Sequence, residues 1–80
     1  MKYYLVEITR YVEPVSGKTE SVGIYTYDSE TAARANFHSK MGGAMKNDNY
    51  AMELLFVKNE YGVDIAVERY EKHVEAPAEE

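Results

Sequence analysis

The chain has 80 residues, no cysteine and a formal net charge of −5, from fourteen acidic and nine basic residues. This length allows one domain at most, and the lack of cysteine excludes disulfides and thiolate metal sites. Nucleic-acid binding needs an excess of Lys and Arg, which is missing here. The first residues are interrupted by Glu7 and Arg10, so we expect no signal peptide. No apolar run approaches the roughly 20 residues that span a bilayer, so we expect a cytoplasmic protein with no membrane partner.

The first elements form a predicted β-hairpin. Residues 2–12 alternate as a strand does, with Tyr4, Val6 and Ile8 on one face. A segment with Pro and Gly at turn-like spacing, residues 13–18, follows. In the second strand, residues 19–27, Val22, Ile24 and Thr26 share a face while Gly23, Tyr25 and Tyr27 share the other.

A central helix is predicted over residues 29–41. Asp28 or Ser29 can cap its first turn, and Ala33, Phe37 and Met41 fall on one stripe. Two glycines, Gly42-Gly43, favour a stop, since glycine accepts the left-handed conformation at a helix end. The alternative is a helix that continues to Lys46, at a cost of about 2 kcal/mol for two glycines relative to alanine. We favour the stop.

The second hairpin follows a turn at residues 47–49. Its strands cover residues 50–58 and 63–73, with a turn at 59–62 between them. Met52, Leu54 and Phe56 share one face, and Glu53, Leu55 and Val57 share the other. The order ββαββ predicts an α+β fold, a two-layer sandwich in which one helix covers one face of a four-stranded, mostly antiparallel sheet. We expect a single domain over residues 1–74 and a disordered acidic tail over 75–80.

Both faces of these strands carry apolar residues, yet one helix can cover only one face. We expect Tyr4, Val6 and Ile8 and their neighbours to lie beneath the helix. The uncovered face is then rich in tyrosine, and its candidate interface residues are Tyr3, Leu5, Tyr11, Tyr25, Tyr27, Leu55, Val57 and Tyr70. Cross-strand tyrosines can simply stiffen a sheet, but an apolar patch of this size favours a partner, most simply a second copy in a homo-oligomer. A nucleic-acid platform of stacked aromatics conflicts with the acidic charge.

The predicted end of the helix is a second candidate site. Glycines let backbone amides approach a ligand, and lysines can neutralise an anion such as a nucleotide. The candidate ligand-binding residues are His38, Lys40, Gly42, Gly43, Lys46 and Asn47. However, the dipole at a helix C-terminus repels anions, and the pattern matches no phosphate-binding motif. A capped helix followed by a turn is the favoured interpretation.

The sequence offers few combinations of residues that could form a catalytic site. His38 and His73 are the only histidines, and they lack the spacing of metal ligands. Glu7, Glu53 and Glu68 fall on the face assigned to solvent and could form a carboxylate group, but exposed strand carboxylates usually only solubilise a sheet. We therefore predict no catalytic residues, no metal and no cofactor.

The run FHSKMGGAMKN at residues 37–47, followed by Tyr50 and by Glu53-Leu54-Leu55, resembles short hypothetical proteins from phage and prophage genomes of gut bacteria. The opening residues 2–6 agree more loosely. The resemblance brings no assigned activity, but it implies a structural accessory or an inhibitor of host defence, as anti-CRISPR proteins are. The leading hypothesis is a non-enzymatic protein-interaction module with a possible host protein target. The rival is a protein that sequesters an anionic nucleotide.

Overall fold

The structure, a computed structural model, describes residues 1–72. The elements are β1 (Tyr3–Val15), β2 (Lys18–Tyr27), α1 (Glu30–Lys46), β3 (Tyr50–Asn59) and β4 (Asp64–Glu71). This confirms the predicted α+β fold and the order ββαββ. β4 ends at Glu71, so the predicted strand does not extend to Lys72. Residue 73 and the predicted tail at 75–80 lie outside the described residues.

The sheet order is β2-β1-β3-β4, and each neighbouring pair is antiparallel. Because β2 and β3 are both antiparallel to β1, they run in the same direction, and α1 connects them across β1. The N-terminal strand therefore occupies the middle of the sheet, between β2 and β3. Crossovers between parallel strands have a strongly preferred hand, so this connection fixes which face of the sheet the helix covers.

Short turns close the two hairpins. Val15 pairs with Lys18 across a two-residue turn, in which Ser16 has φ 52° and Gly17 has φ 79°. Two successive positive φ values are typical of a type I′ turn, which matches the twist of the flanking strands. In the second hairpin the side chain of Asn59 accepts hydrogen bonds from the backbone N–H groups of Tyr61 and Val63.

The helix ends later than we predicted. It begins after the N-cap Ser29, whose hydroxyl accepts from the N–H of Ala32, and continues through both glycines to Lys46. The favoured stop at Met41 is therefore wrong. Ala44 is 1% exposed and extends the buried stripe of Ala33, Phe37 and Met41 by one turn. Burial of this extra turn offsets the low helix propensity of the glycines.

The predicted assignment of the sheet faces is also wrong. The core lies between α1 and the face that we expected to be uncovered: Leu5, Leu55 and Val57 have no exposed surface and pack with Ala33, Phe37 and Met41. Tyr3, Tyr27 and Tyr70 pack against the same cluster while remaining partly exposed. Tyr11 meets Tyr50 edge to face, and Tyr25 lies beneath Lys40.

All eight candidate interface residues therefore lie on the helix side of the sheet. The alternation of side chains correctly grouped the residues that share a face, but it cannot say which of two apolar faces the helix covers. Tyrosine suits the margin of this core, since the ring packs against apolar groups while the hydroxyl reaches water.

The opposite face of the sheet, which we call the open face, carries two neighbouring rows of mainly apolar residues. One row of directly paired residues runs Ile24, Val6, Phe56, Val67, and the next runs Val22, Ile8, Leu54, Arg69. Tyr4 adjoins these rows, and no element of residues 1–72 packs over them. Ile24, Val67 and Val22 are 67%, 66% and 63% exposed. The open face is defined here as Tyr4, Val6, Ile8, Val22, Ile24, Leu54, Phe56 and Val67.

Within the described residues, no helix combines the length and the apolar character that crossing a bilayer requires.

Candidate functional site

A cleft of about 500 Å³ lies between the last two turns of α1 and the sheet. We call it the helix-end cleft. Its lining residues come from three strands, the helix and its C-cap: Glu7, Tyr25, Ser39, Lys40, Gly43, Ala44, Asn47 and Tyr50. The continuation of the helix past the glycines forms one wall, so the cleft exists only because the helix does not stop at Met41.

Lys40 bridges the helix and the sheet inside the cleft. Its ammonium group lies 3.5 Å from Oε1 of Glu7 and 4.0 Å from the centre of the Tyr25 ring. The hydroxyl of Tyr25 donates to the same Glu7 oxygen at 3.3 Å. A carboxylate and an aromatic face thus hold one alkylammonium group, which is the arrangement of a cation–π site.

A glycine gives the Tyr25 ring its position. Gly23 lies directly opposite Glu7 on the neighbouring strand. A Cβ atom at Gly23 would lie 2.9 Å from the Tyr25 hydroxyl oxygen and 3.1 Å from a ring carbon. The ring therefore lies over the bare backbone of Gly23, from where its hydroxyl reaches Glu7.

Glu53 lies behind Glu7, on the same face of the sheet. It has no exposed surface, and Thr9 donates a hydrogen bond to its Oε1. No donor among the described residues reaches its Oε2. The neighbouring polar group is the carboxyl of Glu7, also an acceptor, so the two carboxyls can be satisfied only if a proton lies between them.

Burial and the nearby Glu7 raise the pKa of Glu53 from 4.5 to about 8, against the opposing effects of Thr9 and Lys40. Partial burial lowers the pKa of Lys40, but Glu7 and Tyr25 outweigh it and the net shift is upward. Burial, followed by the charges of Glu7 and Glu53, raises the pKa of Tyr50. At neutral pH the cleft therefore holds a charged Lys40, and a neutral Glu53 lies behind Glu7, outside the cleft lining.

The structure divides the predicted ligand-binding residues into two groups. Lys40, Gly43 and Asn47 line the helix-end cleft. The other three, His38, Gly42 and Lys46, lie on the helix but do not line it. His38 and Lys46 are exposed, and of the two predicted lysines only Lys40 lines the cleft.

Two of the three predicted strand carboxylates do come together, but beneath the helix. Glu7, which is partly exposed, and Glu53, which is buried, are neighbours there, while Glu68 is exposed on β4. The sequence contained a signal for this pair, because both residues share a strand face with buried Leu5 and Leu55. The part played by Tyr50 was missed, because a shift in the β1–β3 register between Arg10 and Tyr11 brings it to the helix side.

Comparisons with protein-family models, with curated proteins and with solved structures found no match to this chain. Among residues 1–72, no group of three or more acidic, His or Cys side chains is placed to hold a metal ion. Within the described part of the chain, the helix-end cleft and the open face are thus the two features that offer a surface for binding.

Proposed function

We propose that this chain is a non-catalytic protein-interaction module whose open face binds a second copy of the chain. The observation that carries the proposal is the row Ile24, Val6, Phe56 and Val67, which is apolar across the whole width of the sheet. An antiparallel sheet that faces water normally carries polar residues on that side. A sheet with an apolar outer face gains stability by packing against another sheet about 10 Å away.

The size of the open face suits such a pairing. The open face and the charged rows that border it span four strands about 4.8 Å apart and seven residues that rise about 3.3 Å each, which is roughly 440 Å² in projection. Two copies together would bury roughly 900 Å², and side chains that project from the sheet add to this area. A specific interface requires about 1,000 Å², which is of the same size. The open face together with its charged margins is therefore large enough for one isologous dimer.

The margins of the open face are compatible with self-pairing. One margin carries Glu20, Arg10 and Glu71 in a paired row with Met52, and the other carries Lys58 and Asp64 beside Tyr4. Each margin has charges of both signs. A second copy related by a two-fold axis can thus place opposite charges against each other, which a margin of one sign would prevent.

Light scattering coupled to size exclusion tests the proposal. The wild-type chain of 9.1 kDa should elute with twice that mass. Ile24→Lys with Val67→Lys should give a folded monomer, because both side chains are exposed in the single chain. The control pair, Tyr61→Lys with Met45→Lys, alters apolar residues of comparable exposure away from the open face and should remain dimeric. A wild-type monomer at about 500 µM, far above a typical working concentration, would refute the proposal.

The resemblance to phage and prophage proteins supports a bacterial cytoplasm as the setting and a host protein as a further target. In a dimer joined through the open faces, both helices point outward. We propose that the chain inhibits host defence through this outward helical layer. Dimer-breaking substitutions on the open face should then leave binding to a purified defence protein measurable, whereas substitutions on the exposed helix surface should abolish it.

A further inference from the structure

We propose that four charged side chains determine how the two copies of the dimer are arranged. Arg10 and Glu20 of one copy lie against Arg69 and Glu71 of the other, and the two-fold axis repeats this contact. This inference rests on the proposed function, since a contact between copies requires the dimer.

Arg10 and Glu20 carry charges that have no partner in the single chain. They lie directly opposite each other on β1 and β2, and both are exposed. Within residues 1–72, neither side chain takes part in an ion pair. Both charges are therefore available to a second copy.

The charges that border the open face on β3 and β4 are already paired within the chain. Nη1 of Arg69 lies 2.8 Å from Oε1 of Glu71. Nζ of Lys58 lies 2.5 Å from Oδ1 of Asp64. The unpaired charges of β1 and β2 thus distinguish one end of the open face from the other.

The packing of sheets allows two arrangements of the second copy. Sheets that pack face to face in the aligned way keep their strands within about 30° of each other, and an isologous dimer has a two-fold axis. The axis therefore runs nearly along the strands or nearly across them. An axis along the strands places β4 of one copy over β2 of the other, and each row faces the same row in reverse order. An axis across the strands places each strand over its own copy, so that opposite ends of the open face meet.

An axis along the strands gives the unpaired charges a partner. The row that holds Glu20, Arg10 and Glu71 then faces itself in reverse order, so Glu71 lies over the Arg10 and Glu20 of the second copy. Arg69 lies in the next row, about 6.6 Å away, and its long side chain can reach Glu20. Each of the two equivalent corners then collects two positive and two negative side chains.

An axis across the strands leaves the same charges without a partner. Arg10 then faces Tyr4, and Glu20 faces Thr26, which lies beside Tyr4 in the outermost row. Neither of these residues is charged. Because charges at the rim of an interface select between arrangements more than they add affinity, we infer the axis along the strands.

Charge reversal tests this contact, with the dissociation constant of the dimer measured by analytical ultracentrifugation. Arg69→Glu and Glu20→Lys should each raise the constant about tenfold, since every dimer contains the contact twice. The double variant should return to within about threefold of the wild type, because opposite charges meet again. The two positions lie three strands apart in one chain, about 14 Å, so only a contact between copies can produce this rescue.

Arg69→Glu combined with Asp64→Lys is the matched control. An axis across the strands would bring Arg69 close to Asp64 of the second copy, so rescue by Asp64→Lys would overturn the proposed contact. A dissociation constant that neither single reversal changes would also overturn it, as would a double variant of Arg69→Glu and Glu20→Lys that stays as weak as the single variants. In all these cases the wild type remains a dimer, whereas a monomeric wild type refutes the proposed function itself.

Discussion

Glu53 has no exposed surface, and its two polar neighbours act on its carboxyl group in opposite directions. Thr9 donates to one oxygen and favours the ionised form, while burial and Glu7 favour the protonated form more strongly. The folded chain therefore holds a proton that the unfolded chain releases at neutral pH. This single residue links the stability of the fold to pH.

The direction of that link follows from the raised pKa. The contribution of the protonated Glu53 is fully present below pH 4.5 and is lost as the pH rises to about 8. Glu53→Gln should remove this loss, because its amide can accept from Thr9 and donate to Glu7. We expect the variant to be more stable than the wild type at pH 8.5 by roughly 1–3 kcal/mol, and about equal at pH 4.5.

Urea denaturation at the two pH values checks this prediction. Glu68→Gln is the matched control, since Glu68 is exposed on β4, and it should leave the difference between the two pH values unchanged. An equal loss of stability with rising pH in wild type and Glu53→Gln would contradict the protonated state of Glu53.

Gly23 gives a second prediction for a single residue. Gly23→Val should push the Tyr25 ring away, because a Cβ atom there lies within 3.2 Å of three atoms of that side chain. The ring current of Tyr25 should then no longer shift the Lys40 side-chain protons upfield in NMR spectra. Tyr25→Leu should produce the same loss, and unchanged Lys40 shifts in both variants would contradict the ring's position.

Among the elements, the helix α1 contains two residues of low helix propensity that can be replaced. Gly42 and Gly43 lie inside α1, and at both positions a Cβ atom would meet nothing within 4 Å. Gly42→Ala and Gly43→Ala should each stabilise the fold by about 1 kcal/mol, since alanine has the higher helix propensity and loses less entropy on folding. Thermal or urea unfolding measures both.

Gly17 is the counterpart to these two positions. It also has open space around its Cα, but its φ of +79° is one that alanine rarely adopts. Gly17→Ala should therefore destabilise the fold by about 1 kcal/mol in the same assay. If all three variants shifted stability in the same direction, the helical conformation of Gly42 and Gly43 would be in doubt.

The sequence was sufficient to predict the elements and their pairing within hairpins, because alternation, the glycine turns and the Ser29 cap are local signals. It did not predict the end of the helix, since the burial of Ala44 is a tertiary effect. Nor did it predict the covered face, because that depends on the crossover from β2 to β3 rather than on the residues of any one strand. The pair of Glu7 and Glu53 was visible as a shared face, but its burial was not.

For the molecule as a whole, the open face predicts that stability depends on concentration. If the folded chain is stabilised by pairing with a second copy, its Tm should rise with protein concentration. The pair Ile24→Lys and Val67→Lys should melt at a temperature independent of concentration, while Tyr61→Lys with Met45→Lys should follow the wild type. Calorimetry from about 10 µM to about 500 µM covers the range in which a typical small interface associates. A constant wild-type Tm would contradict self-association.

The central place of β1 has a consequence for how the chain acquires its structure during synthesis. β1 and β2 leave the ribosome first and can form their hairpin by local contacts, but the other edge of β1 has no partner until β3 has been made. Tyr3 pairs with Asn59, across most of the described chain, and closing so long a loop slows folding. Until then, the nascent hairpin presents an unpaired edge and two bare apolar sides, which is the stage at which it is most vulnerable to aggregation and most in need of a chaperone.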